Sequence, residues 1–115
     1  MAAPIVFIDI AGEDSQQLIE FYSKVFDWEI SETGQFNVPI ITPLSGAIRS
    51  DPSEKRIYLG VDDISKKLDE IEANGGSVDK HRFEVPGLVI LGLFRDPAGN
   101  PMGLVEMENG NAIIP

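Results

Sequence analysis

Apolar and polar positions alternate at the start of the chain. In Ile5-Val6-Phe7-Ile8-Asp9-Ile10, Val6, Ile8 and Ile10 share one side at a period of two, which predicts a half-buried strand. The period then lengthens: Leu18, Phe21, Tyr22 and Val25 recur at helical spacing, and Asp14 with Gln17 forms a capping-box pattern ahead of them. This helix should end near Phe26-Asp27, and Asp27 is a residue that tolerates a left-handed conformation at such an end. The plan recurs about fifty residues later, a spacing that indicates internal duplication when present only twice. Ile57, Leu59 and Val61 alternate, Asp62-Asp63 supplies a cap, and Ile64, Leu68 and Ile71 form the stripe of a second helix closed by Asn74-Gly75-Gly76. Strand-like runs follow each helix, at 28–31, 35–41 and 46–49 and again at 78–85, 88–94 and 102–107. The Asp96-Pro97-Ala98-Gly99-Asn100-Pro101 segment between two apolar runs is a turn signal. Each half therefore reads as strand–helix–strand–strand–strand, and each needs a partner, in the chain or in a second copy, to cover its sheet.

Composition narrows the chemistry. The chain has 115 residues and fits one domain over 1–115, with a first module at about 4–53 and a second at about 54–109. Nine Lys and Arg against 19 Asp and Glu give a net charge of −10, the wrong sign for nucleic acid or an anionic membrane. With no Cys, disulfides, thiolate metal sites and Cys nucleophiles are excluded, and one His leaves any metal dependent on carboxylates. No apolar run reaches the length of a membrane span and Met1-Ala2-Ala3-Pro4 lacks a basic leader, so the expected location is cytoplasmic. No P-loop, dinucleotide fingerprint or Gly-x-Ser-x-Gly elbow occurs.

Taken in order, several segments resemble the vicinal oxygen chelate superfamily, the glyoxalase, bleomycin-resistance and extradiol-dioxygenase group. They are Asp14 with Phe21-Tyr22-Ser23-Lys24-Val25-Phe26, Tyr58-Leu59-Gly60-Val61-Asp62-Asp63, Leu68-Asp69-Glu70-Ile71 with Asn74-Gly75-Gly76, and Asp96-Pro97-Ala98-Gly99-Asn100 followed by Gly103-Leu104-Val105-Glu106. The short form is similar to proteins related to lactoylglutathione lyase. The resemblance implies an α+β fold of two βαβββ modules, forming a curled mixed sheet around a concave cavity with helices on the outer face. It also implies a homodimer and, in many members, a divalent metal held by His, Glu or Gln from the first and last strand of each module. Carried onto this chain, those positions fall on Phe7, Arg56 and Gly103, with the fourth around 46–49, where no carboxylate, amide or imidazole stands. A Phe, an Arg and a Gly do not ligate a divalent ion, so no metal and no other cofactor is expected.

Strand parity places Phe7 and Asp9 on the concave face, with Arg56 and Tyr58 beside them and Gly103 leaving space. Arg56 and Tyr58 are expected as polar contacts of a small-molecule ligand, and Asp9 as a catalytic base or as an ion-pair partner of Arg56. Trp28 and Phe36 suit either a pocket wall or the core, and Glu106 suits a structural role off the concave face. His81, with Glu84 nearby, suits an exposed edge strand better than an acid–base pair. The apolar tail Ala112-Ile113-Ile114-Pro115 would gain from docking. The leading expectation is a metal-independent small-molecule-binding protein. The alternatives are a glyoxalase-type lyase or isomerase with relocated metal ligands or with Asp9 as base, and a ligandless dimeric interaction module.

Overall fold

The computed structural model describes residues 2–40 and 44–115, apart from the side chain of Phe26. Its elements are β1 (Ile5–Gly12), α1 (Ser15–Phe26), β2 (Gln35–Val38), β3 (Leu44–Ser50), β4 (Glu54–Val61), α2 (Ile64–Ala73), β5 (Ser77–Val85), β6 (Val89–Arg95), β7 (Pro101–Glu108) and β8 (Asn111–Ala112). The class is α+β, as the alternation of periods predicts. Ile41, the end of the expected 35–41 strand, lies outside the described residues. The contacts divide the chain into two compact units, Phe7–Arg56 and a second made of the residues through Val6 with Ile57–Pro115. No described helix is long and apolar enough to cross a membrane.

In the Phe7–Arg56 unit, β1 runs parallel to β3 with Ile8 opposite Gly46 and Ile10 opposite Ile48, and β2 pairs antiparallel to β3. The Asp14 carboxylate accepts from the Gln17 amide at 3.1 Å, which fixes where α1 begins. Helix α1 closes on Asp27 in the left-handed region at φ 58°, as the sequence suggests. Ile19, Phe36, Val38 and Ile48 are the buried centre, with Ile8, Ile10, Leu18 and Tyr22 packed around them. One expectation fails here. Residues 28–31 do not form a strand, because Trp28 is drawn into an aromatic stack with Tyr22 at 4.9 Å and Phe36 at 5.1 Å. Both rings pack in the core of this unit, Phe36 also reaching the groove described below, and among the described residues this module has one strand fewer than its repeat.

The other unit keeps the expected plan. β4 and β7 are parallel, and β6 and β5 follow antiparallel in the order β4-β7-β6-β5. Pro4 joins it by accepting from the Gly60 amide at 2.9 Å. Asp63 caps α2 through the Lys66 amide at 3.0 Å, and Ile64, Leu68, Ile90, Phe94 and Leu104 fill the space between helix and sheet. Of the alternating residues, Leu59 and Val61 join this core while Ile57 is exposed. The Asp96 turn is present: its carboxylate accepts from the Ala98 and Asn100 amides at 3.0 and 2.9 Å. The tail docks on its own chain. Asn109 and Gly110, both at positive φ, turn β7 back into β8. The Ile113 amide then donates to the Glu106 carbonyl at 3.0 Å, and the Pro115 carbonyl accepts from Gly87 at 3.0 Å.

Candidate functional site

The sheet of the Phe7–Arg56 unit has α1 on one face and charges on the other. Because Ile8 and Ile10 point to the helix, Asp9 points to the opposite face, and Phe7 precedes it by one strand period. Asp9 lies opposite Ala47, which also faces Gln35, so Gln35, Ala47 and Asp9 stand abreast across three strands. Arg49 is two residues beyond Ala47 on the same side.

Arg49 is the residue that the sequence reading passed over. Its Nε donates to Asp9 Oδ2 at 3.0 Å and its Nη2 to Asp9 Oδ1 at 3.3 Å, a fork-to-fork pair. Its Nη1 donates to Asp51 Oδ2 at 2.9 Å, and its Nη2 also donates to Glu54 Oε2. Glu54 in turn accepts from Arg56 Nε on Oε2 at 3.2 Å and from Arg56 Nη2 on Oε1 at 3.3 Å. Asp9 and Arg56 are therefore linked through Arg49 and Glu54. The signal was present in the sequence: Asp9 and Arg49 each interrupt an apolar strand, and two such charges of opposite sign are natural partners.

Burial makes this network consequential. Asp9 and Arg56 are 3% and 5% exposed, charges that persist in a protein interior only when paired. Burial alone would lower the Arg49 pKa, but the hydrogen bonds to Asp9, Asp51 and Glu54 outweigh it and raise it above the ordinary guanidinium value. For Glu54, burial pushes the pKa up, while the hydrogen bonds from Arg56 and Arg49 win and hold it below the usual 4.5. Both shifts favour the charged forms of Arg49 and Glu54.

Beside this row the unit is open. A groove of about 500 Å³ is lined by Glu29, Ile30 and Ser31 on one side and by Gln35, Phe36, Asn37, Ser45 and Gly46 on the other. At its edge Ser31 and Gln35 are joined by two bonds, Ser31 N to Gln35 O at 2.9 Å and Gln35 N to Ser31 Oγ at 3.0 Å. Gln35 thus belongs both to the groove and to the row that ends at Asp9.

Tyr58 and Gly103 lie in the other unit, where they are register partners on β4 and β7. Tyr58 is buried, and a Cβ on Gly103 would come within 2.4 Å of its ring. The space expected above Gly103 is thus filled by Tyr58, and the glycine is the seat of the ring. Glu106 has a structural role, as its parity suggests: it accepts from the Ile64 amide at 3.2 Å and from Arg82 Nε and Nη2 at 3.0 and 2.9 Å. His81 is exposed on β5.

Members of the resembled superfamily commonly hold a divalent metal, and the donor set here does not fit one. Phe7 and Gly103 offer no ligand atom, and a guanidinium at position 56 is a fixed cation. Among the described residues no three His, Cys, Asp or Glu side chains are grouped so that they could hold a metal ion.

A family model of the glyoxalase-like domain matches residues 5–105. No curated protein matches the chain in a sequence search. Among solved structures, a methylmalonyl-CoA epimerase from Streptomyces coelicolor, in complex with 2-nitronate-propionyl-CoA, superposes with a TM-score of 0.65 at 16% identity, covering 98% of this chain and 100% of that one. Hypothetical protein BH1468 from Bacillus halodurans gives a TM-score of 0.65 at 12% identity over 95% and 97% of the two chains. The methylmalonyl-CoA epimerase from Mycobacterium tuberculosis gives 0.57 at 12% identity over 90% and 87%. At these identities the likeness is one of fold.

Proposed function

Since the chain belongs to the glyoxalase-like domain family, we propose that it binds a small organic molecule without a metal, on the face that carries Asp9, Arg49 and Arg56. The observation that carries this reading is the buried guanidinium of Arg56, tied to Asp9 through Glu54 and Arg49 in a unit that also opens a groove. A metal in related sites supplies fixed positive charge to ligand oxygens. Here two guanidiniums offer N–H donors in a planar geometry suited to oxygen acceptors.

Phe7 and Arg56 are the proposed contacts on this face, the ring for apolar surface and the guanidinium for an oxygen. Tyr58 belongs to the other unit, where it packs on Gly103. Asp9 has both carboxylate oxygens on Arg49, which favours a role in holding that guanidinium over one as a base. The methylmalonyl-CoA epimerases that share the fold are described with acyl-CoA ligands, which supports a small-molecule role without identifying the ligand here. A homodimer is proposed from the same resemblance, with light scattering as its check.

The test is a thermal-shift survey of a metabolite panel on the wild type and on Arg56→Ala. The reading expects at least one metabolite to raise the wild-type melting temperature and to lose that effect in the variant. An equal rise in both proteins, or none in the wild type, overturns it.

A further inference from the structure

We propose that the groove between residues 29–31 and the strands β2 and β3 is a further binding site, for a neutral, hydroxyl-rich ligand of the saccharide class. Arg49, Glu54 and Arg56 do not line this groove, so the site is separate from the guanidiniums of the ligand face proposed above.

Strand geometry gathers its polar groups. Gln35 and Asn37 are two residues apart on β2 and so share a face, and Ser45 stands opposite Asn37 on β3. Glu29 lines the groove from the segment ahead of β2. All four residues are exposed, and their side chains bond to no other described residue, so water is what a ligand has to replace. Ser31 differs from them. Its Oγ accepts from the Gln35 amide at 3.0 Å and lies 3.1 Å from Thr33 Oγ1, which holds the wall in shape.

The lining selects the ligand. It carries the Glu29 carboxylate and no Lys or Arg, so an anion would meet the wrong charge. Carboxamides and hydroxyls each donate and accept, as every hydroxyl of a sugar does, and a carboxylate accepts from two hydroxyls at once. Half-buried Ile30 offers apolar surface to the C–H face of a sugar ring. A flat base would need an open aromatic face to stack on, but Phe36 is 6% exposed and its ring is stacked on Trp28 at 5.1 Å. An added peptide strand would need open backbone groups along β2, whereas the amide and carbonyl of Gln35 are both bonded to Ser31. A volume of about 500 Å³ is in the range of small-molecule sites.

Heteronuclear NMR titration of the whole chain with glucose, maltose and N-acetylglucosamine tests this, with gluconate as the anionic counterpart of glucose. At least one of the three neutral sugars should shift the side-chain amide signals of Gln35 and Asn37 to saturation, and gluconate should leave them in place. Asn37→Ala, a change at an exposed position, should raise the Kd of that sugar by about fivefold or more, the worth of one hydrogen bond. No saturating shift at these amides with any of the three sugars, an unchanged Kd in Asn37→Ala, or equal binding of gluconate overturns the proposal. An Arg56-dependent metabolite in the thermal-shift survey, with no sugar at the groove, would leave the ligand face standing and remove only this site. A sugar held at Asn37 with no Arg56-dependent metabolite would do the reverse.

Discussion

Asp9 and Arg49 meet as two forks, with Arg49 Nε on one carboxylate oxygen at 3.0 Å and Nη2 on the other at 3.3 Å. They are forty residues apart in sequence and offset by two residues in the register of the parallel pair β1 and β3, where Arg49 stands opposite Ala11. The Asp9 side chain is 4% exposed and that of Arg49 30%, so most of the pair is removed from water. Such a pair adds little net stability over apolar residues, but losing one member takes a two-pronged partner from a largely buried charge.

Asp9→Asn should therefore cost about 3 kcal/mol in urea denaturation. The pair of changes Asp9→Asn with Arg49→Met should cost less than the sum of the two single losses, because the two side chains share one interaction. A single variant as stable as the wild type would show that Arg49 is satisfied without Asp9.

Gly103→Ala should destabilise by about 1–3 kcal/mol, since the new methyl must displace a packed ring. The ring is Tyr58, 2.4 Å from where the methyl would stand. Combining the change with Tyr58→Ala should make the two effects strongly non-additive in a double-mutant cycle. Additive losses would contradict the seating of Tyr58 on Gly103.

Asp27→Gly should stabilise the protein by about 1 kcal/mol, because a side chain is removed from a left-handed position. Asp27 sits there at φ 58°. A rise in melting temperature checks it; a fall would mean that the aspartate makes a contact worth more than its strain.

Acid should expose the role of Glu106. The hydrogen bonds from Arg82 come first, burial opposes them, and the Ile64 amide assists; together they lower its pKa from the usual 4.5. A depressed folded-state pKa means that the unfolded chain takes up the proton first as pH falls. The stabilisation from Glu106 is complete above the ordinary value near 4.5 and is lost as pH falls through the lower folded value. Glu106→Gln should be less stable than wild type at neutral pH and should lose less stability between neutral pH and acid. Parallel stability–pH curves for the two proteins would contradict this.

Much of the fold was legible because its signals are local. The alternation around Ile8, the caps at Asp14 and Asp63, and the turn at Asp96 each depend on a few neighbouring residues, and each is found in place. The Asn109-Gly110 turn was as readable, since both residues can take the positive φ that a tight hairpin needs, yet it was passed over. What failed depends on distant partners. Residues 28–31 alternate like a strand, but the ring of Trp28 stacks on Tyr22 and Phe36, and no local pattern announces that. Arg49 shows its role only through Asp9, forty residues away in the sequence, and as a guanidinium it is no metal donor at 46–49. Gly103 reads as open space in the sequence because the Tyr58 ring reaches it only through the β4–β7 register.

The central claim is that a ligand binds here through guanidiniums and without a metal. The most direct measurement is calorimetric titration of a thermal-shift hit in EDTA and again with Ni, Co, Zn, Mn or Fe added, with elemental analysis of the purified protein alongside. The account predicts the same affinity with and without chelator, loss of binding in Arg56→Ala, and no stoichiometric metal. Binding that disappears in EDTA and returns with one stoichiometric metal ion would contradict it.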